Sequence, residues 1–405
     1  MLMKTPSNPL PTNQMQRHAG TPPETDAVTP HVSWKDSFLS IPCTGFIHLL
    51  TARNDGRGRF FSFLLQMIVA LGCLGLVSGS SARAEPPVWV NVTHDLGGDA
   101  TNWAMSTLTL GVAPGTDTVY AHIGRVGLFA SKDGGAHWTN LVTPPEMSAI
   151  NGYVSSFLFD PKDPKAFWIT CWYGKGLLKT TDAGKTFKQV GTEVQLEGVS
   201  VDFTDPERKT MVIGRHEKQG LMISKDGGAT WKTIGTNILP DTKFSNMPLL
   251  IGPNTILASA SGDPKGLTGG IWRSEDAGET WIKVADYSRI RVPMLSSKGI
   301  VFWPVRGGLA RSSDAGKTWV LLKSPAVDSI IELPDGRLAG RGGHRLALSN
   351  DNGDSWTEYG PELPVKPPKE YGQGPVYLPG LKAFLICVRS WGKVNPEAVW
   401  RLDAP

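Results

Sequence analysis

Two short stretches carry residues suited to moving a proton beside a carboxylate: "RHE" at 215–217 and "WYGK" at 172–175. Removing a proton next to a uronate carboxyl group needs a cation to offset that carboxyl charge and a His, Tyr or Lys to take the proton. His216 and Tyr173 are the candidates for base or acid, and Arg215 for the neutralising cation. Further cations stand in similar contexts: Arg125, Lys175, Lys265, Arg306, Arg341 and Arg389, accompanied by His122, His344, Trp172 and Trp391. Arginine's planar fork suits bidentate binding of carboxylate or sulfate. With flat aromatic rings nearby, the implied ligand is an anionic sugar: a uronate, a sialic acid or a sulfated glycan.

These residues belong to a repeat, and the repeat dictates where they stand. The segments "SKDGGAHW" (131–138), "TTDAGKTF" (180–187), "SKDGGATW" (224–231), "SEDAGETW" (274–281), "SSDAGKTW" (312–319) and "SNDNGDSW" (349–356) are six copies of one turn, 37 to 50 residues apart. The aspartate accepts backbone N–H bonds within its own turn, and glycine supplies a positive φ at little cost. The Ser or Thr two residues earlier adds a local hydrogen-bonding group, and the closing Trp or Phe anchors the turn to a core. Short strand-like runs flank each copy, such as "GLFAS" and "WTNLV", and a further hairpin lies upstream, such as "FLFDPKDPKAFWITC". One unit is four antiparallel strands, the content of a β-propeller blade. The C-terminal "GPVYLPGLKAFLICVRSWGKVNPEAVWRL" supplies three strands of a seventh unit, and "VWVNVT" (88–93) supplies its fourth. The predicted fold is therefore all-β: a single closed seven-bladed β-propeller over 85–405, with Asp turns between strands 3 and 4 of six blades.

The pattern S/T-x-D-x-G-x-T-W resembles the Asp box, or bacterial neuraminidase repeat, of sialidase-like propellers, and its copies fall within a repeat region spanning roughly 88–405. The resemblance implies structural turns on the face away from an active site. Strand direction agrees, because in a four-stranded meander the 1–2 and 3–4 turns share one end and the 2–3 and 4–1 loops share the other. The 2–3 loops are "HIGRVG", "WYGKG", "GRHEKQG", "SGDPKGLTGG", "VRGG", "GRGGH" and "VRSWGKVNPE", and each contains a cation. His94, His122, His216 and His344 are expected at the same end.

The resemblance implies a glycoside hydrolase, which needs paired carboxylates or the Tyr–Glu nucleophile and arginine triad of sialidases. Asp95, Asp99, Glu146, Glu197, Glu217 and Asp286 lie in those loops, and no one of them stands out. The chain departs from sialidases in lacking their Arg-Ile-Pro segment ("SRIRVP" at 288–293 is not it) and in having seven units rather than six. Xyloglucan-cleaving Asp-box enzymes work in a cleft between two propellers, and this sequence spells one. A polysaccharide lyase fits the basic rim better, with His216, Tyr173 and Arg215 in catalysis. Arg125, Lys175, Arg306, Arg341, His344, Arg389, Trp391 and His122 would then bind substrate. The alternative is a non-catalytic binding or assembly factor similar to the photosystem II assembly propeller.

Residues 1–52 are polar, proline-rich and aperiodic, and read as a disordered leader; a start assigned too far upstream accounts for them. Residues 53–84 read as a signal peptide: Arg53, Arg57 and Arg59 precede an apolar run from Phe60, and "ARA" at 82–84 matches a cleavage site. Cleavage near Ala84 predicts a secreted or periplasmic monomer with no membrane attachment beyond the export signal. It removes seven basic and four acidic residues from totals of 41 and 37, leaving a net charge of +1. That balance argues against nucleic acid as a partner and for an acidic oligo- or polysaccharide held by local charge. Cys171 and Cys387 fall in blades that are not neighbours, so they are expected as thiols and not a disulfide. No His/Cys cluster has zinc spacing and the Asp turns do not fit a calcium loop, so neither metal nor cofactor is expected.

Overall fold

Each eight-residue turn is closed by the same hydrogen bonds. In the third copy the Ser224 hydroxyl donates to Asp226 Oδ1 (2.7 Å) and accepts from the Gly228 N–H (2.8 Å). Asp226 in turn accepts from the N–H (2.9 Å) and the hydroxyl of Thr230. The pattern recurs around Asp133, Asp182, Asp276, Asp314 and Asp351. The residue two past each aspartate is always glycine, with φ between 79° and 92°. A Cβ at Gly228 would lie 2.2 Å from Val190 Cγ1, and one at Gly316 would lie 2.5 Å from Leu257 Cδ2. Glycine there lets the turn pack onto the preceding blade.

The computed structural model describes residues 86–96, 108–124, 126–142, 154–172, 174–216, 218–238, 246–260, 269–289, 291–325, 329–365, 373–388 and 396–403. The leader and signal segment read at 1–84 lie outside them. The chain is a seven-bladed β-propeller with no helix among the described residues. β1 is Val90–Asn91. Blade 1 holds β2 (Leu108–Val112), β3 (Val119–Ile123), β4 (Gly127–Ser131) and β5 (Thr139–Asn140). Blade 2 holds β6 (Val154–Asp160), β7 (Asp163–Cys171), β8 (Leu177–Thr180) and β9 (Lys188–Gln189). Blade 3 holds β10 (Leu196–Val201), β11 (Met211–Arg215), β12 (Leu221–Ser224) and β13 (Lys232–Ile234). Blade 4 holds β14 (Asn246–Leu250), β15 (Ile256–Ala260), β16 (Ile271–Ser274) and β17 (Ile282–Ala285). Blade 5 holds β18 (Met294–Leu295), β19 (Val301–Val305), β20 (Gly308–Ser312) and β21 (Val320–Leu322). Blade 6 holds β22 (Ser329–Glu332), β23 (Leu338–Gly342), β24 (Arg345–Ser349) and β25 (Thr357–Tyr359). Blade 7 holds β26 (Gln373–Leu378), β27 (Ala383–Cys387) and β28 (Val399–Asp403), and β1 pairs onto β28 as its fourth strand.

Successive strand residues face opposite neighbours, so each blade offers an apolar face to both sides. Tyr120 and Leu128 of blade 1 meet Phe167 and Ile169 of blade 2, whereas Val119 and Ile123 meet Leu385 and Cys387 of blade 7. Seven such clusters form, one at each junction between blades. The residues around β1 stitch the closing junctions. Trp89 Nε1 donates to Pro361 O at 2.9 Å, Trp138 Nε1 to Val92 O at 2.8 Å, and Val399 N to Thr93 Oγ1 at 2.9 Å. Cys171 and Cys387 are buried thiols in blades 2 and 7, and burial pushes the Cys171 thiol up to about 12.

Two outcomes follow from the turn geometry. Ser224→Ala strands the buried Gly228 N–H and is expected to cost about 1–3 kcal/mol, read as a lowered urea midpoint at unchanged slope. All six turn aspartates are lowered to about 2 from an ordinary 3.8. The side-chain hydrogen bond from Thr230, Thr280, Thr318 or Ser355 is the largest cause at Asp226, Asp276, Asp314 and Asp351. At Asp133 and Asp182 burial pushes upward, and the bonds from His137 and Thr186 outweigh it. A depressed folded pKa stabilises above the unfolded value and is lost as pH falls through the folded one. The melting temperature is therefore expected to drop steeply between about pH 4 and pH 2, with proton uptake on unfolding there. Calorimetry across that window checks it, and a flat profile would contradict the turn assignment.

Candidate functional site

Strand β10 carries a bulge at its entry. Leu196 pairs with Arg215 and Val199 with Ile213, so Glu197 and Gly198 together face Gly214. Bulges of this kind re-aim a side chain. A Cβ on Gly198 would lie 2.6 Å from Met247 Sδ of blade 4, which reserves that position for glycine. Just before the bulge Gln195 takes φ 60°, a left-handed conformation costly for a side chain of this kind. Its carbonyl thereby accepts the His216 N–H at 2.8 Å and ties the loop after β11 to the inner strand.

The bulge places Glu197 between two partners. Trp172 Nε1 donates to Glu197 Oε2 at 2.7 Å, and His216 Nδ1 lies 2.6 Å from Glu197 Oε1. The Trp172 and His216 rings stack at 5.1 Å with 6° between their planes. The Glu197 side chain is fully buried, while that of His216 keeps 13% of its surface open. An ionised carboxylate only accepts, so Nδ1 carries the hydrogen and the neutral ring has its lone pair on Nε2. A carboxylate that orients an imidazole, with an indole holding both, is an arrangement suited to proton transfer.

Two arginines stand beside it. Arg289 is 6% exposed and bridges to Val305 at the entry to blade 5. Burial lowers its pKa to about 10; the Glu197 charge raises it and the Arg291 charge lowers it further. Arg291 is fixed through its carbonyl, which accepts Trp303 Nε1 at 3.1 Å.

The structure joins one expected catalytic residue, His216, to Glu197 and Trp172. Arg215 instead points its Nη1 at its own loop, donating to Gln219 O at 2.9 Å. Lys175 and Arg306 are exposed in their 2–3 loops. Arg341 is 1% exposed, with Nη1 donating to Gly343 O at 2.8 Å, and His344 is half-buried. His122 lies inside strand β3 with no exposure, beneath the rim. His94 lies against the first turn, its Nε2 2.9 Å from Ala136 O. Tyr173, Arg125, Arg389 and Trp391 lie outside the described residues, as do Lys265 and Glu217. From sequence Glu197 is one of six loop carboxylates with nothing to single it out, and Arg289 and Arg291 are not marked as site residues; the glycine after Glu197 is the visible hint of a bulge. No group of three or more His, Cys, Asp or Glu residues that could hold a metal occurs among the described residues.

A family model described as Sortilin, neurotensin receptor 3 (Sortilin-Vps10) matches residues 127–264. The chain is similar to a probable oligoxyloglucan-reducing end-specific xyloglucanase of Neosartorya fischeri, 27% identical over 48% of this chain and 23% of the relative. It is also similar to a xyloglucanase of Paenibacillus sp, 25% identical over 37% of this chain and 16% of the relative. The chain thus spans less than a quarter of the length of the curated relatives it matches. Among solved structures, the extracellular domain of a one component system of B. thetaiotaomicron superposes with a TM-score of 0.53 at 11% identity, over 78% of this chain and 40% of that one. That is a likeness of fold.

Proposed function

We propose that the protein cleaves an acidic polysaccharide at the end of the ring carrying Trp172, Glu197 and His216, with His216 as the proton-transfer group. The observation that carries this reading is the Glu197–His216 contact at 2.6 Å, held by the stacked Trp172. Hydrolysis by paired carboxylates requires one on each side of the scissile bond. Glu197, the carboxylate of this cluster, has both oxygens engaged and no exposed surface, so it suits orientation and not attack. Elimination needs one base. His216 Nε2 takes the proton from the carbon beside a uronate carboxyl group, and the electrons of that C–H bond form the new C=C bond. The glycosidic oxygen leaves with the C–O pair and takes up a proton from water, while Arg289 offsets the carboxyl charge.

The names of the curated relatives support a polysaccharide as the substrate class and its cleavage as the activity. The resemblance of the turns to sialidase-like propellers supports the same class. A polymeric substrate calls for export, in keeping with the signal peptide read at 53–84. The test incubates the purified protein with uronate, sulfated and sialylated glycans and with neutral xyloglucan, recording both the absorbance of unsaturated product and new reducing ends. Unsaturated product from uronate polymers is expected. Reducing ends without unsaturation would make it a hydrolase, and binding with neither would make it a binding protein.

A further inference from the structure

The repeat provides its own control for a second site. In each blade with an Asp turn, one residue of the second strand pairs with the Ser or Thr that opens the turn: Val119, Phe167, Met211, Ile256, Val301 and Leu338. Three residues further along, toward the His216 end of the ring, stand His122, Thr170, Gly214, Ser259, Pro304 and Arg341. His122, Thr170, Ser259 and Arg341 are at most 1% exposed. Four fully buried polar residues at one level are costly unless they serve hydrogen bonds there.

In blades 2 and 4 those bonds are internal. Thr170 pairs in register with Ser156 and the two hydroxyls meet at 2.8 Å, while Ser259 Oγ donates to Gly270 O at 2.8 Å. Blade 6 differs from blades 2 and 4. Ser329 pairs in register with Arg341 as Ser156 pairs with Thr170, yet the Ser329 hydroxyl is buried with no hydrogen-bond partner. Nδ1 of His344, in the loop that follows, is likewise buried without one. Arg341 is the one charged residue of the level. A hydroxyl, an imidazole nitrogen that donates or accepts, and a guanidinium at one strand end are the groups that receive an oxyanion.

We infer that Ser329, Arg341 and His344 form a second subsite, which binds the carboxylate or sulfate of another sugar unit of the chain cleaved at His216. The inference rests on the proposed glycan-cleaving function for its ligand. Blade 6 stands across the ring from blade 3, so the two places hold units of one ligand that are separated along its chain and not adjacent. Ser329 and His344 are half-buried, and a turn of the His344 ring about its Cβ–Cγ bond brings Nδ1 to an arriving oxygen.

Two measurements on the full chain test it. Glucuronate and inorganic sulfate are titrated separately while the imidazole resonances of His344 and His216 are followed by NMR. Saturable movement of the His344 signals, abolished by Ser329→Ala, is expected, and the anion that saturates at lower concentration identifies carboxylate or sulfate as the group recognised. Binding of two-unit and four-unit acidic oligosaccharides is then compared in the parent and Ser329→Ala proteins. The substitution is expected to weaken the four-unit ligand roughly tenfold, the effect of losing one charge-assisted bond, while two-unit binding and turnover stay unchanged. Parent-like binding of both lengths, with no response of His344 to either anion, would overturn the subsite and leave the His216 reading intact. A His344 response in a protein that cleaves no glycan would retain the anion subsite and remove the catalytic reading.

Discussion

His216→Ala is expected to lower turnover of an acidic glycan by about 10²–10⁴, with binding of the same glycan retained. The split follows from the proposed roles, which give proton transfer to the His216 ring and charge recognition to Arg289. Glu197→Gln separates orientation from simple bulk. The amide keeps the volume of the buried side chain, and its N–H₂ group is able to donate to Nδ1, which forces the ring hydrogen onto Nε2. A base in the wrong tautomer cannot take the proton, so the fall is expected to approach that of His216→Ala, with an altered pH profile and an unchanged melting temperature. Full activity in His216→Ala would remove the catalytic assignment. Full activity in Glu197→Gln would leave His216 as base and remove only the orienting role.

Deleting residues 86–93 is expected to lower stability by about 5 kcal/mol or more. Trp89 and Val92 are 8% and 3% exposed and belong to two different junction clusters, and loss of a buried tryptophan alone is worth about 3–5 kcal/mol. The deletion also strands Trp138 Nε1, which donates to Val92 O, and the Val399 N–H, which donates to Thr93 Oγ1. Denaturant unfolding of the truncated and parent proteins measures the difference. Equal midpoints would show that the ring closes without its N-terminal strand.

The ring is legible in the sequence because every blade but one is punctuated by chemistry that works locally. An aspartate, a glycine two residues on and a tryptophan specify the turn whatever surrounds it, as the matching bonds of Trp281, Trp319 and Trp356 to the glycine carbonyls of their own turns illustrate. Even the seventh blade is readable, since three leftover strands at one end require a fourth from the other. The site is different in kind. "LEGVSV" reads as an ordinary strand, and what sets Glu197 apart from five other loop carboxylates is a bulge and a left-handed Gln195, both products of pairing with β11. Nothing in "SRIRVP" marks Arg289 as buried, whereas its bridge to Val305 and its proximity to Glu197 arise only once blades 3 to 5 pack together. His122 is a similar case: the strand extends to Ile123 and carries the histidine beneath the surface.

The closing blade also sets a schedule for synthesis. Thr93 and its partner Val399 are 306 residues apart, so the strand that completes the ring leaves the ribosome long before its template. At about 5–20 residues per second, the interval is on the order of 15–60 s. Throughout it Trp89 lacks the residues of blades 6 and 7 that bury it, and the growing chain ends in an open blade edge able to capture a strand from another molecule. Six blades are able to form while translation continues, and the circle is finished once β28 is made.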